Sequence, residues 1–383
     1  MCCRGIACAG APYGATGAAS ACPAGQASKP RSGGGAPPRC CPPPPPGRGG
    51  NPARQTLGFS VTAEDAGDQI QHFLRFKQGI SRKVVISLKH LPEGILLNGV
   101  HARTIDLLHE GDTLEINLPD QTRRLPPCET DVPRLYWDRD VAVFNKPAGM
   151  PVHQSGGHIF GTLASVYTTL SEKEGNAGTF RAVNRIDKDT TGAVVVARHQ
   201  IAAGKLWKAV TKRYVAVVSG VPQPAAGLID LPLEREIPLE MKRIVSPDGE
   251  RAVTEYKVLA AAPDKSCALV GFILHTGRTH QIRVHMSEKG HPLLGDELYG
   301  GPMEEFSRQA LHCAGVAFTH PVTGEQLCLV APLPEDLSDL LEKKGIDWQP
   351  VLSPFVEELL TVQPTTVEEI TERYRKPKQK SRL

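Results

Sequence analysis

The sequence predicts an α+β protein whose main domain is built around a mixed, largely antiparallel sheet. Short apolar runs of strand length, separated by turns, recur between residues 135 and 334. They occur at residues 141–144, 193–197, 214–219, 253–259, 268–274, 314–318 and 326–330. Helical patterns are fewer, at residues 161–170, 201–210 and 280–289. Many strands with intermittent helices favour α+β over a doubly wound fold, which requires regular alternation of strands and helices.

Length and charge limit the classes that remain. A chain of 383 residues is long enough for two or three domains and one sizeable core. Residues 1–54 hold six Lys or Arg and no acidic residue, so the remainder is slightly acidic, and any RNA surface must be a local patch. No apolar run approaches the roughly 18 residues of a membrane span, so no membrane partner is expected. We expect a monomer.

Cysteine usage gives no sign of a metal site. Six of the ten cysteines fall in the first 41 residues, and no CxxC pair occurs anywhere in the chain. Structural zinc sites usually bring paired ligands at short spacing. We therefore predict no metal, and we interpret the four later cysteines as reduced packing residues in a cytosol-like compartment. They are Cys128, Cys267, Cys313 and Cys328.

The first segment, residues 1–54, is dominated by Gly, Ala and Pro. Such a composition cannot bury enough apolar area to offset the entropy of ordering, so disorder is predicted. Its Arg-containing, acid-free composition also fits an organelle transit peptide, and a third interpretation is an artefact of the gene model. We expect a cytoplasmic protein, with an organelle as the alternative if this segment is a transit peptide.

A compact unit is predicted over residues 57–119. Ile70, Phe73 and Leu74 repeat at helical spacing, and a second helix with Ser81 as its N-cap follows. Two strand-like runs, ILLNGV and GDTLEI, complete the unit. Two helices and small strands suit an accessory domain.

Two further segments flank the main domain, which is predicted over residues 135–334. Residues 120–134 are rich in Pro and charge, which is typical of a linker. Residues 335–383 form a predicted C-terminal tail that begins with an acidic helical pattern and ends in RYRKPKQKSRL. That basic end suits either RNA phosphates or solvent, and solvated disorder is favoured.

The main domain carries five polar clusters, each at the end of a strand or the start of a helix. In sequence order they are NKPAGMPVH from residue 145, NRIDKDTT from residue 184, KRY from residue 212, TGRTHQIRVH from residue 276 and GDELYGG from residue 295. Loops held by rigid strands are where binding and catalytic groups tend to lie. No P-loop, His–Cys pair or metal spacing accompanies them.

Asp187 is the candidate reactive group, and Arg283 is its candidate partner. An Arg near the start of a helix can present its planar fork to a carboxylate from another loop. A carboxylate paired in this way stays ionised, as a nucleophile or general base must. Spacing alone leaves a purely structural ion pair as the alternative. Asp189 is interpreted as shaping the turn.

Taken in order, the clusters resemble the RluA-type family of RNA pseudouridine synthases. The resemblance covers roughly residues 136–334 and rests on VNRIDKDTTGAVVVA, KRYVAVVSG, HTGRTHQIRVHM with GHPLLGDELYGG, and ALHCAGVAFTHPVTGE. The preceding unit resembles the alpha-L RNA-binding module of a ribosomal protein, through GISRKVVISLK, ILLNGV and EGDTLEI. The first resemblance implies an isomerase that converts uridines of rRNA or tRNA to pseudouridine, without cofactor or metal.

The resemblance also implies roles for individual residues. Asp187 matches the essential aspartate, which acts covalently or electrostatically at the anomeric carbon. Tyr214 matches the tyrosine that stacks on the uracil and assists removal of the C5 proton, and Arg283 matches the basic partner of the aspartate. Arg185 is implied to contact RNA where the nucleotide is extruded. Further expected RNA contacts are Arg278, His280, Lys146, Arg82, Lys83 and Lys89.

Departures from the family pattern and two alternatives remain. Asn184 stands where the commonest pattern has His, and Asn can make similar hydrogen bonds. The chain between residues 197 and 214 is short, which predicts that the helix bearing Trp207 is truncated. The main alternative is a non-catalytic RNA-binding or RNA-folding protein on the same scaffold, which would be expected to have lost Asp187, Tyr214 or Arg283. A general hydrolase would require a second acid or a metal at suitable spacing.

Overall fold

The computed structural model describes residues 55–118, 125–154, 160–175, 179–207, 209–238 and 240–358. The predicted N-terminal extension and the basic end of the C-terminal segment lie outside these residues. Among the described residues, no helix is both long and apolar enough to cross a membrane.

Residues 55–118 form a small α/β unit. Its elements are β1 (Gln55–Ser60), α1 (Ile70–His72), a π-helical turn (Phe73–Lys77), α2 (Arg82–Lys89), β2 (Ile95–Leu97), β3 (Val100–His101) and β4 (Thr113–Leu118). The strands form an antiparallel sheet in the order β1-β4-β2-β3. The Ser81 hydroxyl accepts from the Val84 amide at 3.4 Å, which confirms the predicted N-cap. The apolar face of α2 is buried against this sheet.

A second, larger sheet forms the main domain. Its strands are β5 (Arg134–Trp137), β6 (Val141–Lys146), β7 (Arg181–Ala182), β8 (Thr191–Ala197), β9 (Thr211–Ser219), β10 (Ala226–Asp230), β13 (Val253–Ala261), β14 (Cys267–Leu274), β15 (Leu311–Thr319) and β16 (Gln326–Val330). A separate hairpin is made by β11 (Leu233–Arg235) and β12 (Arg243–Val245).

The large sheet has the strand order β10-β13-β14-β9-β15-β8-β6-β5, with β16 paired to β15 and β7 to β8. Its register aligns the strand ends next to the first four polar clusters, because Lys146 pairs with Gly192, Gly192 with Cys313, and Cys313 with Tyr214, which also pairs with Phe272. Only the β8–β15 pair is parallel among the described strands. The α+β prediction and all seven predicted strands are confirmed, whereas five shorter strands, β5, β7 and β10 to β12, were missed because short half-exposed runs carry a weak pattern.

Both faces of the large sheet are covered. The remaining helices are α3 (Leu163–Lys173), α4 (Gln200–Leu206), α5 (Gln281–Glu288), α6 (Glu335–Lys343) and α7 (Gln349–Glu357). Along β9, Tyr214, Ala216 and Val218 belong to one apolar cluster, and Val215 and Val217 to the other, which α6 and α7 complete. Burial on two faces explains the continuous apolar runs of the central strands.

The boundary predicted at residue 334 therefore differs from the structure. The segment predicted as a tail begins with two helices whose Leu337, Leu341 and Phe355 are buried on the sheet. The sequence interpretation rested on the acidic residues of this segment and gave no weight to its apolar residues, which repeat at helical spacing.

Part of the predicted linker also belongs to the main domain. Val132 is buried in its core, and the Cys128 amide donates to the Thr169 hydroxyl at 2.9 Å. The four later cysteines are free thiols, as predicted, although only Cys267 and Cys313 are fully buried. Helix α4 is short, at seven residues, as the spacing predicted, but it ends at Leu206, so Trp207 is its C-cap and not part of the helix.

Candidate active site

Asp187 lies in the loop that enters β8, at the edge of the large sheet. Its carbonyl accepts from the Thr190 amide at 3.1 Å, which closes a turn. The side chain of Asn184 braces this loop, because it accepts from the Val195 amide at 2.7 Å and donates to the Ala193 carbonyl at 3.1 Å. An amide side chain supplies both a donor and an acceptor. Although Asn stands here in place of His, its side chain therefore still hydrogen-bonds the loop to β8.

Lys146 supports the same loop from beneath, and this corrects its predicted contact with RNA. Its side chain is fully buried, with Nζ donating to the carbonyls of Pro147 at 2.7 Å and Lys188 at 2.8 Å. Burial lowers the pKa of Lys146 to about 7, although the charges of Asp189 and Asp187 oppose this. A neutral amine has two N–H groups, which match the two carbonyls. Lys146 therefore holds the loop and does not reach the surface.

Replacing Lys146 by Met tests this placement through stability. Because the folded-state pKa lies below that of the unfolded chain, the unfolded chain binds more protons between pH 7 and about pH 10. The free energy of unfolding of the wild type should therefore gain on that of the variant as pH rises, by up to about 1.4 kcal/mol per pH unit. Urea denaturation across this range measures the difference, with the exposed Lys173→Met as control. A difference that stays constant contradicts the assignment.

Arg308 ties the loop to helix α6. Its Nη1 donates to the Asp189 carbonyl at 3.0 Å, and its Nε and Nη2 donate to the two carboxylate oxygens of Asp336 at 2.7 and 2.8 Å. The main chain of Asp189 is thus held in place by Arg308, and the turn-shaping role of its side chain stays a prediction. The side chain of Asp187 is left to face the cavity.

Arg283 joins two carboxylates. Its Nη1 donates to Asp187 Oδ2 at 3.1 Å, while Nε and Nη2 donate to Asp296 Oδ2 and Oδ1, each at 2.7 Å. Burial by itself lowers the pKa of Arg283, but the bonds to Asp296 and Asp187 outweigh it and raise the pKa above its usual value. The guanidinium is therefore a fixed positive charge. Among the described residues, none donates to Asp187 Oδ1.

His280 is a second group beside Asp187. Its Nε2 lies 3.8 Å from Asp187 Oδ2, and its Nδ1 lies 2.8 Å from the Tyr299 hydroxyl oxygen. Burial lowers the pKa of His280, and the charge of Asp187 partly opposes this shift. Neutral imidazole is therefore favoured at this position. The predicted pair of Asp187 and Arg283 is present, with a histidine added on the same oxygen.

Tyr214 forms another wall of the site, on β9 opposite Cys313 of β15 and Phe272 of β14. Only 5% of its surface is exposed. Burial raises the pKa of Tyr214 well above its usual value, and Cys313 adds to the shift. The hydroxyl therefore stays protonated at neutral pH, and Tyr214 is one of the residues that line the cavity.

The structure brings six predicted site residues to one cavity of about 50 Å³. Asp187, Tyr214, Arg283, Arg185, Arg278 and His280 all line it. The other lining residues are Ile186, Thr190, Leu274, Gln281, Ile282 and Leu311. Among these lining residues, Asp187 is the one with an acidic side chain, and several of the others carry cationic groups or hydrogen-bond donors.

The predicted RNA contacts other than Lys146 and His280 have exposed side chains. Arg185 is exposed at the cavity mouth, and Arg278 is 40% exposed with Nη1 donating to Glu250 at 2.7 Å. Arg82, Lys83 and Lys89 are exposed on α2 and do not line this cavity. Their positions fit contacts with RNA phosphates as well as they fit a solvated helix face.

One group of potential metal ligands occurs among the described residues, at the opposite end of β6. Asp138, Asp140 and His320 lie close enough to share an ion. However, His320 Nδ1 accepts from the Thr323 amide at 3.0 Å, so its Nε2 carries the proton and donates to Asp138 Oδ2 at 2.8 Å. A histidine that ligates a metal through one ring nitrogen usually donates from the other. The donor set therefore suits a hydrogen-bonded pair better than a metal.

The sequence interpretation gave no role to two residues of the fifth cluster, Asp296 and Tyr299, or to Gln281. Buried Gln281 accepts from the Arg278 amide at 2.9 Å and donates to the Val253 carbonyl at 3.0 Å, which anchors the start of α5 to β13. For Asp296 and Tyr299 the available signal was the GDELYGG cluster. Its glycines mark a close approach of the backbone, and the acidic and aromatic side chains stand between them.

Comparisons with known proteins identify the relatives of this chain. A family model described as RNA pseudouridylate synthase matches residues 140–288. Uncharacterized RNA pseudouridine synthase YjbO of Bacillus subtilis is 38% identical over 69% of this chain and 95% of its own length. Ribosomal large subunit pseudouridine synthase D of Zymomonas mobilis is 38% identical over 60% of this chain and 78% of its own.

Solved structures include Human RNA Pseudouridylate Synthase Domain Containing 4, at 28% identity and a TM-score of 0.46 over 56% of this chain and 93% of that one. The family rests on the sequence relatives, of which YjbO is matched over nearly its whole length. As the resemblance to the RluA type implied, the chain belongs to the RNA pseudouridine synthases, isomerases that convert uridine in RNA to pseudouridine.

Proposed function

We propose that Asp187 is the catalytic carboxylate of this synthase and that Arg283 and Tyr214 assist it. The proposal is based on the different surroundings of the two oxygens of the Asp187 carboxylate. Oδ2 of Asp187 is held by Arg283 at 3.1 Å, whereas Oδ1 meets no donor among the described residues, and the residue lines the cavity. A fixed guanidinium keeps the carboxylate ionised, and an unengaged oxygen is free to react.

The reaction follows from that arrangement. The target nucleotide leaves the RNA stack so that its uracil can enter the cavity. Asp187 acts at the anomeric carbon, covalently or electrostatically, while the bond to N1 of uracil breaks. The uracil rotates, the anomeric carbon bonds to C5, and the C5 proton leaves. The isomerisation is redox-neutral, because one glycosidic bond and one C–H bond are exchanged for a C–C and an N–H bond.

Tyr214 suits the handling of the uracil. Tyr214 lines the cavity, and aromatic rings stack on bases. Because its pKa is raised by burial, its hydroxyl acts as a neutral donor or acceptor near the C5 proton. Arg185, exposed at the mouth of the cavity, is placed to contact the RNA strand from which the nucleotide has moved.

We further propose rRNA as the substrate, and the large-subunit rRNA first, with tRNA as the alternative. The support is that several relatives of the chain are named Ribosomal large subunit pseudouridine synthase D. Transcripts of both RNAs labelled with tritium at C5 of uridine test the activity and the substrate together. Tritium release from rRNA alone is the expected result. Release from tRNA alone contradicts the choice of RNA, and release from neither contradicts the activity.

The α2 surface is proposed as a second RNA contact, outside the chemical step. Replacing Arg82, Lys83 and Lys89 by Gln removes three charges from exposed positions. Removal of one phosphate contact reduces the slope of log K against log salt by about 0.7 to 0.9, so we expect a slope lower by about 2 to 3. Binding across a salt series measures it, and single-turnover kinetics should be unchanged. The control replaces Lys173 and Lys343, and an equal reduction of the slope there contradicts the proposal.

A further inference from the structure

The turn from Gly295 to Gly301 contacts both groups that flank Asp187. Its backbone is tightly enclosed: a Cβ on Gly295 would lie 2.0 Å from the Arg308 carbonyl oxygen, and one on Gly301 would lie 1.9 Å from that of Leu293. Gly295 also has φ of +72°, which favours glycine. Two of its side chains, Asp296 and Tyr299, contact Arg283 and His280. Because the backbone of the turn is tightly enclosed, the Cα positions from which these side chains extend are fixed.

The first side chain of the turn holds Arg283. Asp296 is 1% exposed and takes both Nε and Nη2 of Arg283 in a planar pair of hydrogen bonds. The guanidinium also lies 5.0 Å from the centre of the Tyr299 ring. A guanidinium that is bound along one edge by two hydrogen bonds cannot turn within its own plane. With that edge bound to Asp296, the Nη1 end of the guanidinium reaches Asp187 and donates to Oδ2.

The second side chain of the turn orients His280. The Tyr299 hydroxyl accepts from the Arg243 amide at 2.9 Å, so its single hydrogen is available for His280 Nδ1, 2.8 Å away. A neutral imidazole that accepts at Nδ1 carries its proton on Nε2. That N–H faces Asp187 Oδ2 at 3.8 Å. His280 also has φ of 58°, a left-handed conformation that persists only where surrounding contacts enforce it.

We propose that Asp296 and Tyr299 are positioning residues for the isomerisation, and that Tyr299 selects the His280 tautomer whose Nε2–H faces Asp187. This inference rests on the proposed role of Asp187. The turn thereby presents two donors, Arg283 Nη1 and His280 Nε2, to one oxygen of the carboxylate. Oδ1 stays free for the anomeric carbon. A histidine in the opposite tautomer would place a lone pair against Oδ2 and repel it.

Several charged groups surround His280, and the effect of Tyr299 must be separated from theirs. They are Asp187 from the loop before β8, Arg283 from α5, Asp296 from the turn and Arg243 from β12. The Tyr299 hydrogen bond to Nδ1 favours neutral imidazole. Without it, the negative charge of Asp187 pulls the imidazole toward protonation. A variant lacking the hydroxyl should therefore protonate His280 at higher pH.

The test uses the full-length protein with Tyr299→Phe, and Tyr136→Phe as matched control. The Tyr136 hydroxyl also donates a hydrogen bond to a side chain, in this case to the Asp138 carboxylate at 2.8 Å, but it lies at the opposite end of β6. We expect Tyr299→Phe to lower kcat by about 10-fold with little change in KM, because one orienting hydrogen bond is removed. The acid limb of its pH–rate profile should move to higher pH. A wild-type kcat and pH profile would overturn the proposal.

Nitrogen NMR of labelled histidines supplies a readout independent of turnover. Assignment of His280 uses His280→Gln, whose spectrum lacks that signal. The expected wild-type signal is the Nε2–H tautomer, and Tyr299→Phe should show a mixture of tautomers or the cation near neutral pH. An Nδ1–H tautomer in the wild type overturns the inference. Because this measurement requires no RNA, failure of the proposed activity would leave it readable.

Discussion

Replacing Asp187 by Asn should abolish pseudouridine formation, with kcat lowered by at least about 10³-fold. The variant keeps the shape of the side chain and removes its charge. The amide cannot attack or stabilise the anomeric carbon, and the Arg283 guanidinium is left with Asp296 as its only carboxylate partner among the described residues. RNA affinity should change by less than about threefold, because phosphate contacts dominate binding. Tritium release and pseudouridine mapping measure the first effect, and a filter-binding titration the second.

The neighbouring carboxylate provides the matched control. Asp189→Asn makes the same chemical change two residues away, where the observed loop contact is made by the main-chain carbonyl and not by the carboxylate. We expect this control to retain activity within a few-fold of the wild type. If Asp187→Asn modifies RNA as well as the wild type does, the assignment of the catalytic residue is wrong. Equal loss in both variants would point to a structural requirement of the loop.

Arg283→Met is expected to remove activity and to destabilise the fold by about 3–5 kcal/mol. The buried carboxylate of Asp296 loses both of its 2.7 Å partners, and an unpaired buried charge carries a penalty of that size. Such a loss is a large share of the roughly 5–15 kcal/mol that stabilises a typical domain. Chemical denaturation measures the free energy of unfolding, and single-turnover kinetics on the folded fraction measures the chemical step.

A second substitution separates stability from chemistry. Asp296→Asn in the Arg283→Met background removes the stranded charge, so the double variant should regain much of the lost stability. It should remain inactive, because Asp187 still lacks its guanidinium. Recovery of activity together with stability would show that Arg283 serves only the fold. A double variant as unstable as the single one would contradict the buried-charge explanation.

Much of the architecture was predictable because it depends on local patterns. Continuous β-branched runs such as residues 194–196 identified the buried strands, and the cap at Ser81 identified the start of α2. The stretches that were missed are those in which the local pattern is weak. The hairpin of β11 and β12 has only three residues in each strand, and the apolar stripe of α6 is interrupted by acidic residues.

The predicted site divides in the same way. Asp187, Tyr214 and Arg283 came from ordered motifs, and the sheet brings all three to one cavity although they lie up to 96 residues apart. Lys146 was expected to contact RNA, whereas it is fully buried and donates to main-chain carbonyls of the loop, which residue type and order could not reveal. Asp296 and Tyr299 received no role because their contacts with Arg283 of α5 and with His280, the residue before α5, form only when the turn folds back on that helix.

The sequence by itself determined the α+β class, the central strands, the family and the identity of the candidate carboxylate, because each depends on residue type and order along the chain. Only the tertiary structure decided which oxygen of Asp187 is held and which is free. It also decided that Lys146 supports the loop and that α6 and α7 close the second face of the sheet. These depend on distances between segments distant in sequence, which are set when the sheet and its helices pack.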